Sequence, residues 1–443
     1  MKKKSFYDII TIIVFLLQDL GGKFMNKVLG IVAEYNPFHN GHLYHLNESK
    51  KAVNANYVVA VMSGNFVQRG DTSLINKWAK AEMAIQNGVD LVIELPAIYS
   101  VSSAENFGYG AIKILNSLKI VDYLSFGSEL CDVNILNEFA TVLYEEPKEY
   151  VSILNHELGK GFSYAKAREN ALLIYLNDIR KYANILSSPN NILAIEYLKA
   201  LKKEKSNIIP FSIKRNKVNY NDTEIIDGFA SATAIRKIAL TNDVWSLRKA
   251  MPKSSFDIMY EQLRSGKTVS DLSKFEHEII YNLRRMTLEE IAEIPDVTEG
   301  LENLIKNAAN SCNTIEEFVG IVKSKRYTVT RLKRILVYCL LGITKKDMQN
   351  SQKVEPYIRV LGFNEKGKEL LSGISHANPK LDIITSPRRF LDESNNKPLK
   401  AMLEKDIFAT DVYTLGYDYD SFSNLDFTTP VISIYANTDV NII

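Results

Sequence analysis

From residue 25 onward, short unbroken apolar runs alternate with amphipathic stretches. Val28-Leu29-Gly30-Ile31-Val32-Ala33 is the first run, and residues 57–62, 90–95 and 121–126 repeat it. Residues 208–214 predict a fifth strand. Between the runs, residues 42–52, 76–87 and 103–118 carry helical periodicity. A strand with one wet face alternates apolar and polar residues. Near-continuous apolar strands belong instead to a parallel sheet covered by helices on both faces. The pattern predicts an α/β, doubly wound core.

After about residue 242 the texture becomes helical, with helices predicted over 257–265, 269–284, 288–294, 300–310, 314–323 and 330–341. Met251-Pro252-Lys253-Ser254-Ser255 reads as a break. The chain therefore divides into residues 25–245 and a mainly helical part over 246–443. That part ends in a small mixed segment, strand-like at 357–362 and 381–385. A length of 443 residues agrees with two or three domains, at roughly 150 residues each.

Residues 1–24 stand apart. Lys2-Lys3-Lys4 and the apolar run from Ile9 to Leu17 resemble the start of a signal peptide, but no small-residue cleavage site follows. The run is too short to span a bilayer. It reads as an upstream extension outside the fold, such as a misassigned start would add. The formal charge is +2, so any nucleic-acid surface must come from local clustering. Cys131, Cys312 and Cys339 give neither a disulfide framework nor a zinc spacing, and a reducing cytoplasm is the simplest setting.

The chemistry concentrates after the first strand. His39, His42 and His45 are three of the six histidines. A helix starting there offers free N–H groups and a positive dipole end to phosphate. His39 and His42, three apart, share a helix face and can donate to phosphate oxygens as charge builds on a leaving pyrophosphate. Gly41 allows close backbone approach. His45 reads as a helix-surface residue. A metal site lacks carboxylate or thiolate partners beyond Glu34 and Glu48. Gly266-Lys267-Thr268 fails as a phosphate loop, because Glu261 stands where the first glycine is needed.

His39-Asn40-Gly41-His42 resembles the His-x-Gly-His element of the nucleotidyltransferase superfamily, whose members attack the α-phosphate of ATP. Ser231-Ala232-Thr233-Ala234-Ile235-Arg236 is similar to its second element, in which Ser231 and Thr233 can cap a helix and Arg236 can reach a phosphate. Residues 30–42, 62–70, 188–193, 214–215 and 323–328 narrow the resemblance to the bacterial tRNA(Met) cytidine acetate ligases. Ala33 and Lys80 stand where Val and Arg are expected. The resemblance implies activation of acetate with ATP to acetyl-adenylate, then acetylation of N4 of the wobble cytidine of elongator tRNA(Met).

The same resemblance implies an ATP site lined by Ile31, Val32, Ala33, Glu34, Tyr35, Asn36, Pro37, Phe38, His39, Asn40, Gly41, His42, Leu43 and Tyr44. Gly127, Asn190 (with Asn191 as its alternative), Arg215, Ser231, Thr233 and Arg236 would complete it. His39 and His42 would be catalytic. A Mg2+ ion accompanying ATP is left open. Residues 62–70, with Gly64 and Gly70 toward their two ends and a Gln-Arg pair, read as a loop able to close over the site and exclude water.

The densest basic run carries Lys325, Arg326, Arg331, Lys333 and Arg334 around Tyr327, and a basic surface with an aromatic suits RNA. Residues 246–443 are thus expected to bind tRNA, in a cytoplasmic enzyme with no membrane attachment. Two competitors remain. An adenylyltransferase joining AMP to a small phosphorylated metabolite shares both motifs but leaves the second half unexplained. An RNA-binding protein with a relic nucleotide site conflicts with the intact histidines and Arg236.

Overall fold

The computed structural model describes residues 26–178, 182, 184–214, 225–298, 300–324, 326–435 and 441–442. The extension over 1–24, Arg215 and Lys325 lie outside the described residues.

Eleven strands are described: β1 (Val28–Ala33), β2 (Tyr57–Ser63), β3 (Phe66–Val67), β4 (Asp71–Thr72), β5 (Leu91–Leu95), β6 (Tyr123–Ser128), β7 (Ile209–Lys214), β8 (Ile358–Asn364), β9 (Ile383–Ile384), β10 (Ile432–Ile434) and β11 (Asn441–Ile442). Among the described residues nine of them form one sheet in the order β11-β10-β8-β5-β2-β1-β6-β7, with β9 beside β8. The run β5-β2-β1-β6-β7 is parallel throughout, as the continuous apolar pattern predicts. Alternate residues of β2 enter different cores. Tyr57, Val59 and Val61 join one, while Val58, Ala60 and Met62 join the other. Helices Asn40–Val53, Lys77–Gln86 and Ala104–Ser117 match the periodic stretches within a few residues.

Chain order reverses at β1. The chain steps outward through β2 and β5, then returns to place β6 on the other flank of β1. In such sheets the crevice at the carboxyl ends of the two flanking strands is the natural ligand position.

The second half is helical where its periodicity indicates: Lys253–Arg264, Glu276–Arg285, Leu301–Ser311, Ile315–Val322 and Val329–Leu341. It then supplies β8, which pairs antiparallel with β5, so one sheet crosses residue 245. A buried charge cluster lies beside this junction. Lys77 Nζ is 2.9 Å from both Glu94 oxygens and 2.9–3.0 Å from those of Asp426, and Arg359 Nη2 reaches Asp426 at 3.4 Å. Two cations and two carboxylates balance, which makes burial of all four tolerable.

Residues 62–70 are not a free loop. β2 continues to Ser63, and β3 and β4 form a two-stranded hairpin. Ser100 Oγ donates to Phe66 O at 2.5 Å. Gly70, at φ +71°, lies against the helix Val329–Leu341, where a Cβ would sit 2.3 Å from Arg334 N. Only glycine combines that backbone with that approach. Among the described residues no helix is long and apolar enough to cross a membrane.

Candidate active site

β1 delivers the chain to the crevice, and the turn at its end uses Tyr35 in the left-handed region at φ 46°. Tyr35 and Phe38 are buried there with ring centroids 4.8 Å apart, and His42 packs against both at 5.0 and 5.7 Å. This apolar seat sets the direction of the His42 ring.

His39 caps the Asn40–Val53 helix. Its Nδ1 accepts the Gly41 N–H at 3.0 Å, while its backbone N–H donates to His42 Nδ1 at 3.3 Å. The rings stack with centroids 3.8 Å apart. A neutral imidazole that accepts through Nδ1 carries its proton on Nε2. Both rings therefore present an Nε2–H donor at a helix N-terminus, an arrangement suited to phosphate oxygens. Gly41 gains a reason that the sequence reading did not see: a Cβ there would lie 2.8 Å from His39 Cε1.

The other predicted residues divide between holding the loop and facing the crevice. Asn36 is buried; its Nδ2 donates to Thr72 O at 3.3 Å and its Oδ1 accepts Leu74 N–H at 2.8 Å. Asn40 Nδ2 donates to Gly228 O and Lys249 O at 2.8 and 2.9 Å. Glu34 Oε1 accepts the Gln68 N–H at 2.9 Å, linking loop and hairpin. Ile31, Pro37 and Phe38 are buried, and Val32, Ala33, Leu43 and Tyr44 half-buried.

Arg236 reaches the loop from the helix Ala232–Ala239. Its guanidinium donates to Asn36 O at 3.0 Å and to Thr233 Oγ1 at 3.3 Å. Ser231 caps that helix by accepting Ala234 N–H at 3.0 Å. Gly127 lies near the carboxyl end of β6. Asn190, half-buried, donates to Glu129 Oε1 at 2.6 Å. Asn191 is buried and committed on both sides of its amide, accepting Glu129 N–H and Leu130 N–H and donating to Ile185 O. Of the two, Asn190 is the less buried. His45, expected on the helix surface, turns inward to Ser125 Oγ of β6 at 3.1 Å.

One buried lysine escaped the sequence reading as a loop-former. Lys80 Nζ donates to Glu34 O, Ser63 O and Gly64 O at 3.1, 2.9 and 2.7 Å, tying the ends of β1 and β2 together. Burial lowers its pKa to about 7 against the pull of Glu34 and Glu94. The detectable signal was two lysines, Lys77 and Lys80, three apart on a helix otherwise apolar except for Glu82 and Gln86.

The basic run is largely spent within the fold. Arg331 donates to Asp296 O and Thr298 Oγ1. Arg334 pairs with Asp296 at 2.8 Å and Lys333 with Asp71 at 2.6 Å. Arg326 is exposed. The sequence reading offered all of these to RNA; in the structure Arg331, Lys333 and Arg334 also clamp the Val329–Leu341 helix.

Among the described residues no group of three His, Cys, Asp or Glu side chains converges as a metal site.

Comparison with known proteins matches this geometry to a family. The family described as HIGH Nucleotidyl Transferase matches residues 25–426. A tRNA(Met) cytidine acetate ligase of Thermoanaerobacter sp. (strain X514) is 47% identical over 409 residues, covering 92% of this chain and all of that one. The chain belongs to the tRNA(Met) cytidine acetate ligase family. A second ligase of this name, from Acetivibrio thermocellus, is 46% identical over 414 residues, 92% of this chain and 99% of its own. Thermotoga maritima TmcAL in its apo form superposes with TM-score 0.88 at 34% identity, over 93% of this chain and all of that chain. The same protein bound with alpha-thio ATP superposes with TM-score 0.85.

Proposed function

We propose that this ligase activates acetate with ATP and passes the acetyl group to N4 of the wobble cytidine of elongator tRNA(Met). One observation carries the reading: His39, His42 and Arg236 converge on one loop at the switch point, in a chain of which 92% is matched by a ligase of that name. In the first step an acetate oxygen attacks the α-phosphorus, and the bond to the bridging oxygen breaks. Pyrophosphate leaves with the electron pair, its growing charge met by the two Nε2–H groups and Arg236. In the second step the cytidine N4 attacks the acetyl carbon. AMP leaves and N4 sheds a proton. Residues 25–245 hold ATP, with Gly127, Asn190 and Arg215 on the nucleotide side, and residues 246–443 complete the sheet and present the tRNA. The cytoplasm, where ATP and tRNA meet, is the compartment that fits.

The test is incubation with ATP, labelled acetate and a tRNA(Met) transcript. N4-acetylcytidine, AMP and pyrophosphate are expected in equal amounts. AMP joined to a small phosphorylated metabolite, with no acetylated base, would overturn the reading in favour of an adenylyltransferase. Chelation by EDTA in the same assay decides whether Mg2+ must accompany ATP.

A further inference from the structure

The first residue of the catalytic helix is held from outside. The Asn40 backbone N–H donates to Ala250 O, and its side chain to Lys249 O, each at 2.9 Å. Those carbonyls end the short helix Val244–Lys249, on whose outer side stands Trp245. Trp245 is 48% exposed, whereas the other tryptophan, Trp78, is 5% exposed. The indole packs inward on Tyr260 and Phe256, with centroids at 4.6 and 5.6 Å, and the Arg248 guanidinium lies over it at 4.6 Å. The guanidinium also lies over the Phe256 ring at 5.1 Å, and the indole is tilted by 41° and 45° from Phe256 and Tyr260, so a cluster of rings and one exposed planar cation stands beside the catalytic loop.

Its surroundings are basic. Residues 236–249 contain Arg236, Lys237, Arg248 and Lys249 against one acid, Asp243. Lys237, Arg248 and Lys249 are exposed. Indole and guanidinium faces accept any nucleobase, and lysines beside them accept phosphates. By contrast, Lys333 and Arg334 are paired with Asp71 and Asp296.

We propose that the Trp245–Arg248 stack is a nucleobase platform, on which an unpaired base of the substrate RNA lies while its neighbour enters the active site. The proposal rests on the acetylation reading and adds where the RNA is held. A base that reacts at the acyl-adenylate must leave its stack. Its neighbours then lose a stacking partner, and Trp245 with Arg248 supplies one on the very element that anchors Asn40.

The test titrates the full chain with a tRNA(Met) transcript. RNA binding should quench indole emission in the wild-type chain. Trp245→Phe should abolish the quench and hold affinity within about threefold, while Trp245→Leu should weaken binding about tenfold or more. Arg248→Ala should weaken it as well and flatten its salt dependence. Unchanged affinity in Trp245→Leu overturns the proposal; if that variant does not fold, unchanged affinity in Arg248→Ala does. A wild-type chain that binds RNA through Trp245 yet forms no acetylcytidine sinks the acetylation reading and leaves the platform standing.

Discussion

Lys333 Nζ lies 2.6 Å from the carboxylate of Asp71, so the basic helix grips the hairpin rather than facing solvent with that charge. Asp71 also accepts the Leu272 N–H at 2.9 Å. The pair is partly exposed, a setting in which ion pairs contribute about 0–1 kcal/mol. Lys333→Ala should therefore lower stability by about 1 kcal/mol or less and leave the salt dependence of tRNA binding intact. Arg326→Ala should reduce the slope of log affinity against log salt by about one. Filter binding across a salt series checks both.

His39 caps its helix and, in the proposed reaction, also donates from Nε2; the two roles separate by substitution. His39→Asn keeps an oxygen to cap Gly41 N–H and loses the Nε2 donor. Acetate-dependent pyrophosphate release should fall by about 10²–10³-fold, the usual cost of one transition-state donor. The melting temperature should stay close to that of the natural chain. An undiminished rate would remove the histidine from the chemistry.

Lys77 is fully buried among Glu94, Asp426 and Arg359. Lys77→Met leaves two buried carboxylates facing one guanidinium. Breaking such a cluster costs about 3–5 kcal/mol, readable by urea denaturation.

Asp406 is buried, accepting the Ala97 N–H at 2.7 Å and the Tyr357 hydroxyl. Burial, then the charge of Glu94, push its carboxyl up from 3.8 to about 7. Between those values the unfolded chain gives up the proton and the folded chain keeps it. This group therefore withdraws stability as pH rises from about 4 to about 7 and withdraws no more above that. Asp406→Asn has no proton to give up. Its melting temperature relative to the natural chain should climb through that window and level off beyond it.

The parallel core was legible because each strand and helix announces itself locally, through apolar runs such as Val28–Ala33 and caps such as Ser231. The His39–His42 pair was legible for the same reason: its spacing is local. Pairing between distant segments was not. Nothing in residues 357–362 says that their strand lies beside β5, and helices Val133–Glu145, Lys148–Gly159 and Tyr164–Leu176 passed unread. Charge was the least legible property. The run with Lys333 and Arg334 read as an RNA surface, and nothing in the sequence told that Asp71 and Asp296 stand opposite those two or that Glu94 and Glu34 O meet the buried Lys77 and Lys80.

The antiparallel seam between β5 and β8 has a consequence for synthesis. The strands that cradle the adenylating loop leave the ribosome early, but the strand that seals their outer edge comes only after the whole helical segment. Until then β5 shows an open row of amides and Glu94 lacks its distant neighbours, the hallmarks of an edge prone to mispairing. A nascent chain halted near residue 245 would carry the His39–His42 and Ser231–Arg236 elements and still be unfinished as a sheet.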